Sequence, residues 1–191
     1  MWNLECGIWN LKFEIMKTIA DIYAANDKIR EQLKNTVSGL TDEQTSVLPE
    51  GEKWTIAHFV EHIAIVENGM AKISAKLLMQ AKAAGKQSDG TAKLSETFAQ
   101  KAAGARDMKI EAPERVRPTG TLTITESLAK MEENRHLLED LRPMFESVEC
   151  ADFTFPHPAF GELTAHEWLT LIGGHEARHL RQLENVIAKV R

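Results

Sequence analysis

Two histidines placed one helical turn apart near the end of the chain form its most informative chemical pattern. They are His175 and His179, within the string HEARH at residues 175–179. Residues four apart lie on the same face of an α-helix, one above the other. Two neutral imidazoles in this position can bind one metal ion at ligand distances of about 2.0–2.1 Å. The spacing therefore predicts a metal site carried by a helix.

The same string also matches HExxH, the signature of zinc proteases. In those enzymes a third ligand follows downstream, as a histidine in the longer HExxHxxGxxH pattern or as a more distant glutamate. Here Gln182 stands where the glycine would be and Asn185 where the third histidine would be. Glu184 falls on the wrong face of the helix, and we predict no edge strand that would hold an extended peptide. A metalloprotease is therefore the less favoured interpretation.

The helical phase of this segment predicts that both imidazoles face a protein core. At 100° per residue, His175 and His179 fall beside an apolar sector that contains Trp168, Ile172, Leu183, Val186 and Val190. Glu176 falls at the margin of that sector, so its carboxylate is also expected to point inward. Buried polar groups are costly unless they are partnered, and a metal ion is one such partner. The alternative is an ordinary pair of buried histidines that hydrogen-bond across the core.

The remaining histidines divide into one candidate ligand and four residues with other roles. His62 lies at the edge of an apolar stripe on an earlier helix and is the candidate third ligand. His58 lies one turn before it, further towards solvent, and is predicted to be a surface residue or a support for a ligand. His136 lies opposite the apolar face of its helix and should be solvated. We predict that His157 and His166 are structural.

Four segments of apolar periodicity define the elements that must carry these residues. They cover about residues 15–37, 55–84, 123–145 and 164–191, with apolar residues three and four apart. They predict an all-α fold, an antiparallel four-helix bundle. The connection between helices two and three, residues 85–121, is long, contains a short amphipathic stretch, and is expected to cover one end of the bundle near the metal. Residues 153–161 hold two prolines and are predicted to be a loop.

Composition limits the classes of partner. The chain has 191 residues, is 43% hydrophobic and carries a net charge of −5 without a basic stripe, which argues against nucleic-acid binding. No apolar run approaches the roughly 18 residues that a membrane span needs. The two cysteines lie far apart and are expected to be reduced thiols of a cytoplasmic protein. Residues 1–14 are predicted to be an N-terminal extension, and residues 15–191 the bundle domain.

Three stretches of the chain resemble the DinB/YfiT-like superfamily, the metal-dependent four-helix bundles that include bacillithiol and mycothiol S-transferases. The stretches are Lys53-Trp54-Thr55 followed by His62 and Glu67, then HPAFGEL at residues 157–163 leading into Glu167-Trp168-Leu169, and HEARH followed by Gln182. The resemblance implies a metal triad of one histidine from helix two and two from helix four. Transferred residue by residue, that triad is His62, His175 and His179.

The resemblance further implies one divalent transition metal ion with an open coordination position, with zinc and nickel as the first choices although imidazole suits copper and iron as well. It also implies a small-molecule substrate and either transfer of a low-molecular-weight thiol or metal-assisted hydrolysis. Glu176 is the candidate catalytic acid–base residue, and Glu67 is the second candidate. For both, a salt bridge or a hydrogen bond to a ligand histidine is the alternative. A non-catalytic bundle that binds a metal or small ligand, or forms a homodimer, is the alternative function.

Overall fold

The fold is a bundle of four long helices, and the described residues add two short α-helices, a 3₁₀ helix and a β-hairpin. The computed structural model describes residues 18–105 and 111–190, so the predicted extension at residues 1–14 lies outside them. In chain order the elements are α1 (Ile19–Val37), α2 (Asp42–Ser46), α3 (Ile56–Ala83), α4 (Glu96–Gly104), a 3₁₀ helix (Glu114–Val116), α5 (Ile124–Ser147), β1 (Phe155–His157), β2 (Gly161–Leu163) and α6 (Ala165–Val190). None of the described helices is long and apolar enough to cross a membrane.

Each long helix begins after a threonine that caps it. The side chains of Thr18, Thr55, Thr123 and Thr164 accept hydrogen bonds from backbone N–H groups three residues further on, which lack partners inside the helix. The predicted start of the first helix at Ile15 lies outside the described residues.

Two of the four helices run opposite to the other two. The end of α1 (Leu33 and Val37) packs with the starts of α3 and α5 and with the end of α6. The start of α1 (Ile19 and Ile22) packs with the ends of α3 and α5 and with the start of α6. Thus α1 and α6 point one way, and α3 and α5 point the other. The four-helix bundle is confirmed, and the long connection exists because the chain must return to the opposite end before α5 begins.

The loop predicted at residues 153–161 is wrong, because this segment forms a hairpin. Phe155 pairs with Leu163 and His157 with Gly161 in an antiparallel ladder. The loop was predicted because the segment contains two prolines, but proline is tolerated in an edge strand. The hairpin also supplies the edge strands that the argument against a protease took to be missing. In addition, Asp42–Ser46 between the first two long helices form the short helix α2.

Helices α1 and α6 cross closely just before His175 and His179. This contact holds the preceding part of α6 in position. Asn26 Nδ2 donates a hydrogen bond to the Leu169 carbonyl oxygen across 2.9 Å. Gly173 makes this approach possible, because a Cβ at that position would clash with the Asn26 side chain. This contact explains why a polar asparagine interrupts the apolar stripe of α1.

Candidate metal centre

Helices α3 and α6 bring His62, His175 and His179 together. The Nε2 atoms of His175 and His179 lie 3.0 Å apart. The His62 ring centre lies 5.1 Å from that of His175 and 4.8 Å from that of His179. One ligand nitrogen from each of the three residues lies within 4.8 Å of the other two. The three histidines named from the sequence therefore form one cluster.

The geometry and chemistry of the cluster suit a divalent transition metal ion. Two nitrogens about 2.05 Å from a tetrahedral ion are about 3.3 Å apart, close to the separation of His175 and His179. His62 Nδ1 lies 2.7 Å from the Val116 carbonyl oxygen. Because a carbonyl only accepts, Nδ1 must carry the proton, which leaves the Nε2 lone pair of His62 available. Histidines that bind metals commonly donate their other ring N–H to a backbone carbonyl in this way.

Burial keeps all three rings neutral at physiological pH. Desolvation lowers the pKa of His62, and it lowers the pKa of His179 to about 3 with a further contribution from His62. The pKa of His175 lies well below its ordinary value because of burial and its two histidine neighbours. Metal ions bind deprotonated imidazole, so these rings are in the required state before any ion arrives.

Gln182 lies one turn beyond His179 on α6. Its side chain partly offsets the effect of burial on the pKa of His179. His179 Nδ1 and Gln182 Oε1 are both buried and have no close hydrogen-bond partner among the residues that the structure describes. An ion held at His179 Nε2 would leave the ring proton on Nδ1, and the Gln182 amide oxygen would be a suitable acceptor for it.

Glu176 and Glu67 form a buried ion network with Arg30. Arg30 Nε lies 2.7 Å from Glu176 Oε1, and Arg30 Nη2 lies 2.6 Å from Glu67 Oε1. Burial raises the pKa of Glu176 to about 7 despite the opposing charge of Arg30. The salt bridges that the sequence offered as the alternative for both carboxylates are therefore confirmed. The catalytic role of Glu176 stays a prediction.

Sequence reasoning missed Arg30, although the sequence contains a signal for it. Glu176 was expected to point inward, and a buried carboxylate needs a cationic partner. Arg30 lies one turn after Asn26 on α1, beside the apolar stripe, and is 6% exposed. A search for an inward cation to match Glu176 would have found it.

A cavity of about 1010 Å³ opens beside the three histidines. Its floor is formed by α3 and α6, including Val66, Met70 and Ile73, while the connection covers it with Phe98 and Val116. The expectation that residues 85–121 cover the site is confirmed by these contacts. Glu176 and Glu67 do not line this cavity.

Glu61, the residue before His62 on α3, holds the connection by hydrogen bonds. The buried Glu61 carboxylate accepts hydrogen bonds from the N–H and the hydroxyl of Thr119 and from the N–H of Gly120, at 2.9, 2.6 and 2.9 Å. Gly120 has a φ of +75° and lies so close to His58 that a Cβ would be 2.7 Å from the ring nitrogen Nε2. His58 itself accepts from the Thr55 N–H through Nδ1. It therefore supports the cap of α3 and lies outside the histidine cluster.

His136 and His166 take the roles that the sequence predicted, whereas His157 lies in strand β1 and not in a loop. The His136 side chain is 75% exposed. His166 is buried, accepts from the Lys93 N–H and lies 3.3 Å from the Phe145 carbonyl oxygen. His157 accepts from two backbone N–H groups of the hairpin turn through Nδ1, and its ring also lines the cavity.

Comparisons with known proteins agree with this fold. Residues 25–183 match the sequence model of the DinB superfamily. The chain is 29% identical over 166 residues to the uncharacterized protein YuaE of Bacillus subtilis (strain 168), which covers 86% of this chain and 96% of that protein. It is also similar to the crystal structure of TT2238, a four-helix bundle protein, with a TM-score of 0.57 and 22% identity over 87% of this chain and 98% of the other.

Proposed function

The chain belongs to the DinB superfamily, and from this premise we propose that it is a metal-dependent enzyme that acts on a small molecule. His62, His175 and His179 would hold one divalent transition metal ion, with zinc or nickel as the first choices. The observation that carries the proposal is that three neutral imidazoles converge at the wall of a cavity large enough for a ligand of drug size.

The protein's own residues would bind and orient the ion and its substrate. A bound divalent ion supplies Lewis acidity, which lowers the pKa of water or of a thiol. The Val116 carbonyl fixes the tautomer of His62, and Gln182 is placed to do the same for His179. The connection shields one side of the cluster from bulk water. Thiol transfer onto an electrophile and hydrolysis both suit such a site.

Steady-state turnover distinguishes these reactions. We would assay the metal-loaded protein with a low-molecular-weight thiol and a model electrophile, and separately with an activated ester. Metal-dependent turnover that is absent from the His62→Ala, His175→Ala, His179→Ala triple variant would support the proposal. Metal binding without turnover in either assay would favour a non-catalytic role.

One observation favours a non-catalytic metal- or ligand-binding bundle as the second candidate. The described carboxylates that line the cavity, Glu52 and Glu111, are paired with Lys189 and Lys53 respectively. Glu176 and Glu67 both form buried salt bridges with Arg30. A general base beside the cluster would then have to come from the substrate or from a bound thiol. The homodimer and the cytoplasmic location stay predictions.

A further inference from the structure

The ring of Trp54 lies against two of the three histidines of the cluster. Its ring centre is 4.8 Å from that of His62 and 6.4 Å from that of His179. The angles between the ring planes are 52° and 33° respectively, and such separations are those of aromatic rings in contact. An indole nitrogen only donates hydrogen bonds and cannot bind a metal ion. Any effect of Trp54 on a bound ion must therefore act through the two histidines.

The start of α3 determines where this ring lies. Thr55 is the N-cap of α3, so Trp54 is the residue before the cap and Phe59 is the fourth residue of the helix. An apolar pair at these two positions forms a hydrophobic staple, which fixes the direction in which the chain enters the helix. The two ring centres are 5.2 Å apart with an angle of 71° between the planes, an edge-to-face contact. The staple therefore holds the Trp54 ring in a defined position relative to α3.

The same two aromatic residues reach α6. The ring centre of Phe59 is 5.8 Å from that of His179. Trp54 is partly buried against an apolar cluster that includes Leu180 and Leu183 of α6. A device that begins one helix thus also packs against the neighbouring helix that carries two of the histidines.

Ring packing and hydrogen bonding restrict the histidines in different ways. The hydrogen bond from His62 Nδ1 to the Val116 carbonyl oxygen selects the position of the ring proton. The contact with Trp54 instead limits rotation of the His62 ring, and so keeps Nδ1 directed at that carbonyl. His179 Nδ1 has no close hydrogen-bond partner among the described residues. The orientation of the His179 ring therefore depends more on the packing of Trp54 and Phe59.

We propose that Trp54 is a positioning residue of the metal centre, whose ring holds the imidazoles of His62 and His179 in the orientation that an ion requires. The inference rests on the proposed function for the presence of the ion, but the ring packing exists without metal and can be tested without it. A residue needed only to start α3 could be any apolar side chain that completes the staple. A positioning residue must instead be an aromatic ring, and this difference can be measured.

Three substitutions separate positioning from helix stability. Trp54→Leu keeps an apolar partner for Phe59 but removes the ring, whereas Trp54→Phe keeps a ring. Leu128→Ala is the matched control, because Leu128 is partly buried against the same apolar cluster as Trp54 but lies on α5, which carries none of the three histidines. The melting temperature of each variant shows that it is folded and how much stability it has lost.

Nitrogen NMR of the metal-free protein measures the tautomer of His62, because the two ring nitrogens have different chemical shifts in the two neutral forms. In the wild-type, Trp54→Phe and Leu128→Ala proteins, we expect the proton at Nδ1 alone. In Trp54→Leu the ring should turn away from the Val116 carbonyl, so the form protonated at Nε2 should appear as well. A single form protonated at Nδ1, with unchanged shifts in Trp54→Leu, would overturn the proposal.

Titration with Co²⁺ provides a second measurement, since the visible spectrum of this ion reports the arrangement of its ligands. Trp54→Leu should weaken Co²⁺ binding at least about tenfold and alter the spectrum, as is typical when a group that orients metal ligands is lost. Trp54→Phe should restore most of the affinity, and Leu128→Ala should bind as the wild-type protein does. Equal affinity and an equal spectrum in Trp54→Leu and wild-type protein would overturn the proposal. Wild-type protein that binds no Co²⁺ would instead count against the proposed function, and the tautomer of His62 would still decide the role of Trp54.

Discussion

His62 donates its Nδ1 proton to the carbonyl oxygen of Val116 across 2.7 Å. This hydrogen bond joins a proposed metal ligand on α3 to the connection that covers the cavity. The neighbouring Glu61 holds the same connection through Thr119 and Gly120. Metal binding and the position of the connection are therefore expected to be coupled.

Glu61→Ala should loosen the connection and weaken metal binding. The substitution leaves the Thr119 and Gly120 N–H groups without their charged acceptor, a loss of about 1 kcal/mol, because both residues are exposed and water can replace the carboxylate. We expect faster hydrogen exchange at these two amides and a lower metal affinity. Glu61→Gln retains one acceptor oxygen and should have a smaller effect on both. If the hydrogen-exchange rates of the Thr119 and Gly120 amides were unchanged in the Ala variant, Glu61 would not hold the connection in place.

Arg30→Ala should be strongly destabilising. Removal of the guanidinium leaves the Glu67 and Glu176 carboxylates buried without their cation, which typically costs about 3–5 kcal/mol. Lys34→Ala, one turn further along α1, removes an exposed ion pair with Glu132 and should cost less than about 1 kcal/mol. Chemical denaturation measures both variants. Similar losses for the two would show that the buried network contributes little.

His136→Ala should change the free energy of unfolding by less than about 0.5 kcal/mol. The side chain is 75% exposed and its nearest charged group, on Glu132, is 3.9 Å away. Exposed positions with so few contacts tolerate substitution. Urea denaturation provides the value, and a loss well above 1 kcal/mol would contradict the exposed position.

The metal-free protein should lose stability in mild acid. The pKa values of His62, His175 and His179 lie below the 6.5 of an ordinary imidazole. Below about pH 6.5 the unfolded chain therefore binds more protons than the folded chain, and the free energy of unfolding falls as the pH drops towards the pKa of about 3 of His179.

The triple Ala variant is the control for this pH dependence. It should lose less stability between pH 7 and pH 5 than the wild-type protein. The raised pKa of Glu176 has the opposite effect on the pH dependence of stability, because the folded state then binds more protons than the unfolded state. Glu176 is present in both proteins, so its effect cancels in the comparison. Thermal melts of chelated samples make the comparison. Equal slopes in the two proteins would contradict the burial of neutral histidines.

The helices and the histidine cluster could be predicted because they depend on local rules. The caps at Thr55, Thr123 and Thr164 satisfy helix ends within three residues of sequence. The i, i+4 spacing places His175 and His179 on one face without reference to the rest of the chain. The phase of α3 then placed His62 on the inner side.

The remaining features depend on contacts between distant segments. The hairpin at His157 is stabilised by pairing between two strands. Two prolines in this segment made a loop the expected structure. The fastening of Thr119 by Glu61 joins residues 58 positions apart, and Arg30 meets Glu176 from 146 positions away. No local periodicity in the sequence indicates such pairs. The only available argument is that a buried charge needs a partner.

The metal content of the purified protein, measured by inductively coupled plasma mass spectrometry, tests the central proposal most directly. After reconstitution at pH 7.5 and removal of excess ion, the wild-type protein should hold one divalent transition metal ion per chain. His58→Ala, one turn before His62, should retain it. The His62→Ala, His175→Ala, His179→Ala triple variant should hold none, and metal addition should raise the melting temperature of the wild-type protein alone. Equal metal content in the wild-type and triple variant proteins would contradict the three-histidine centre.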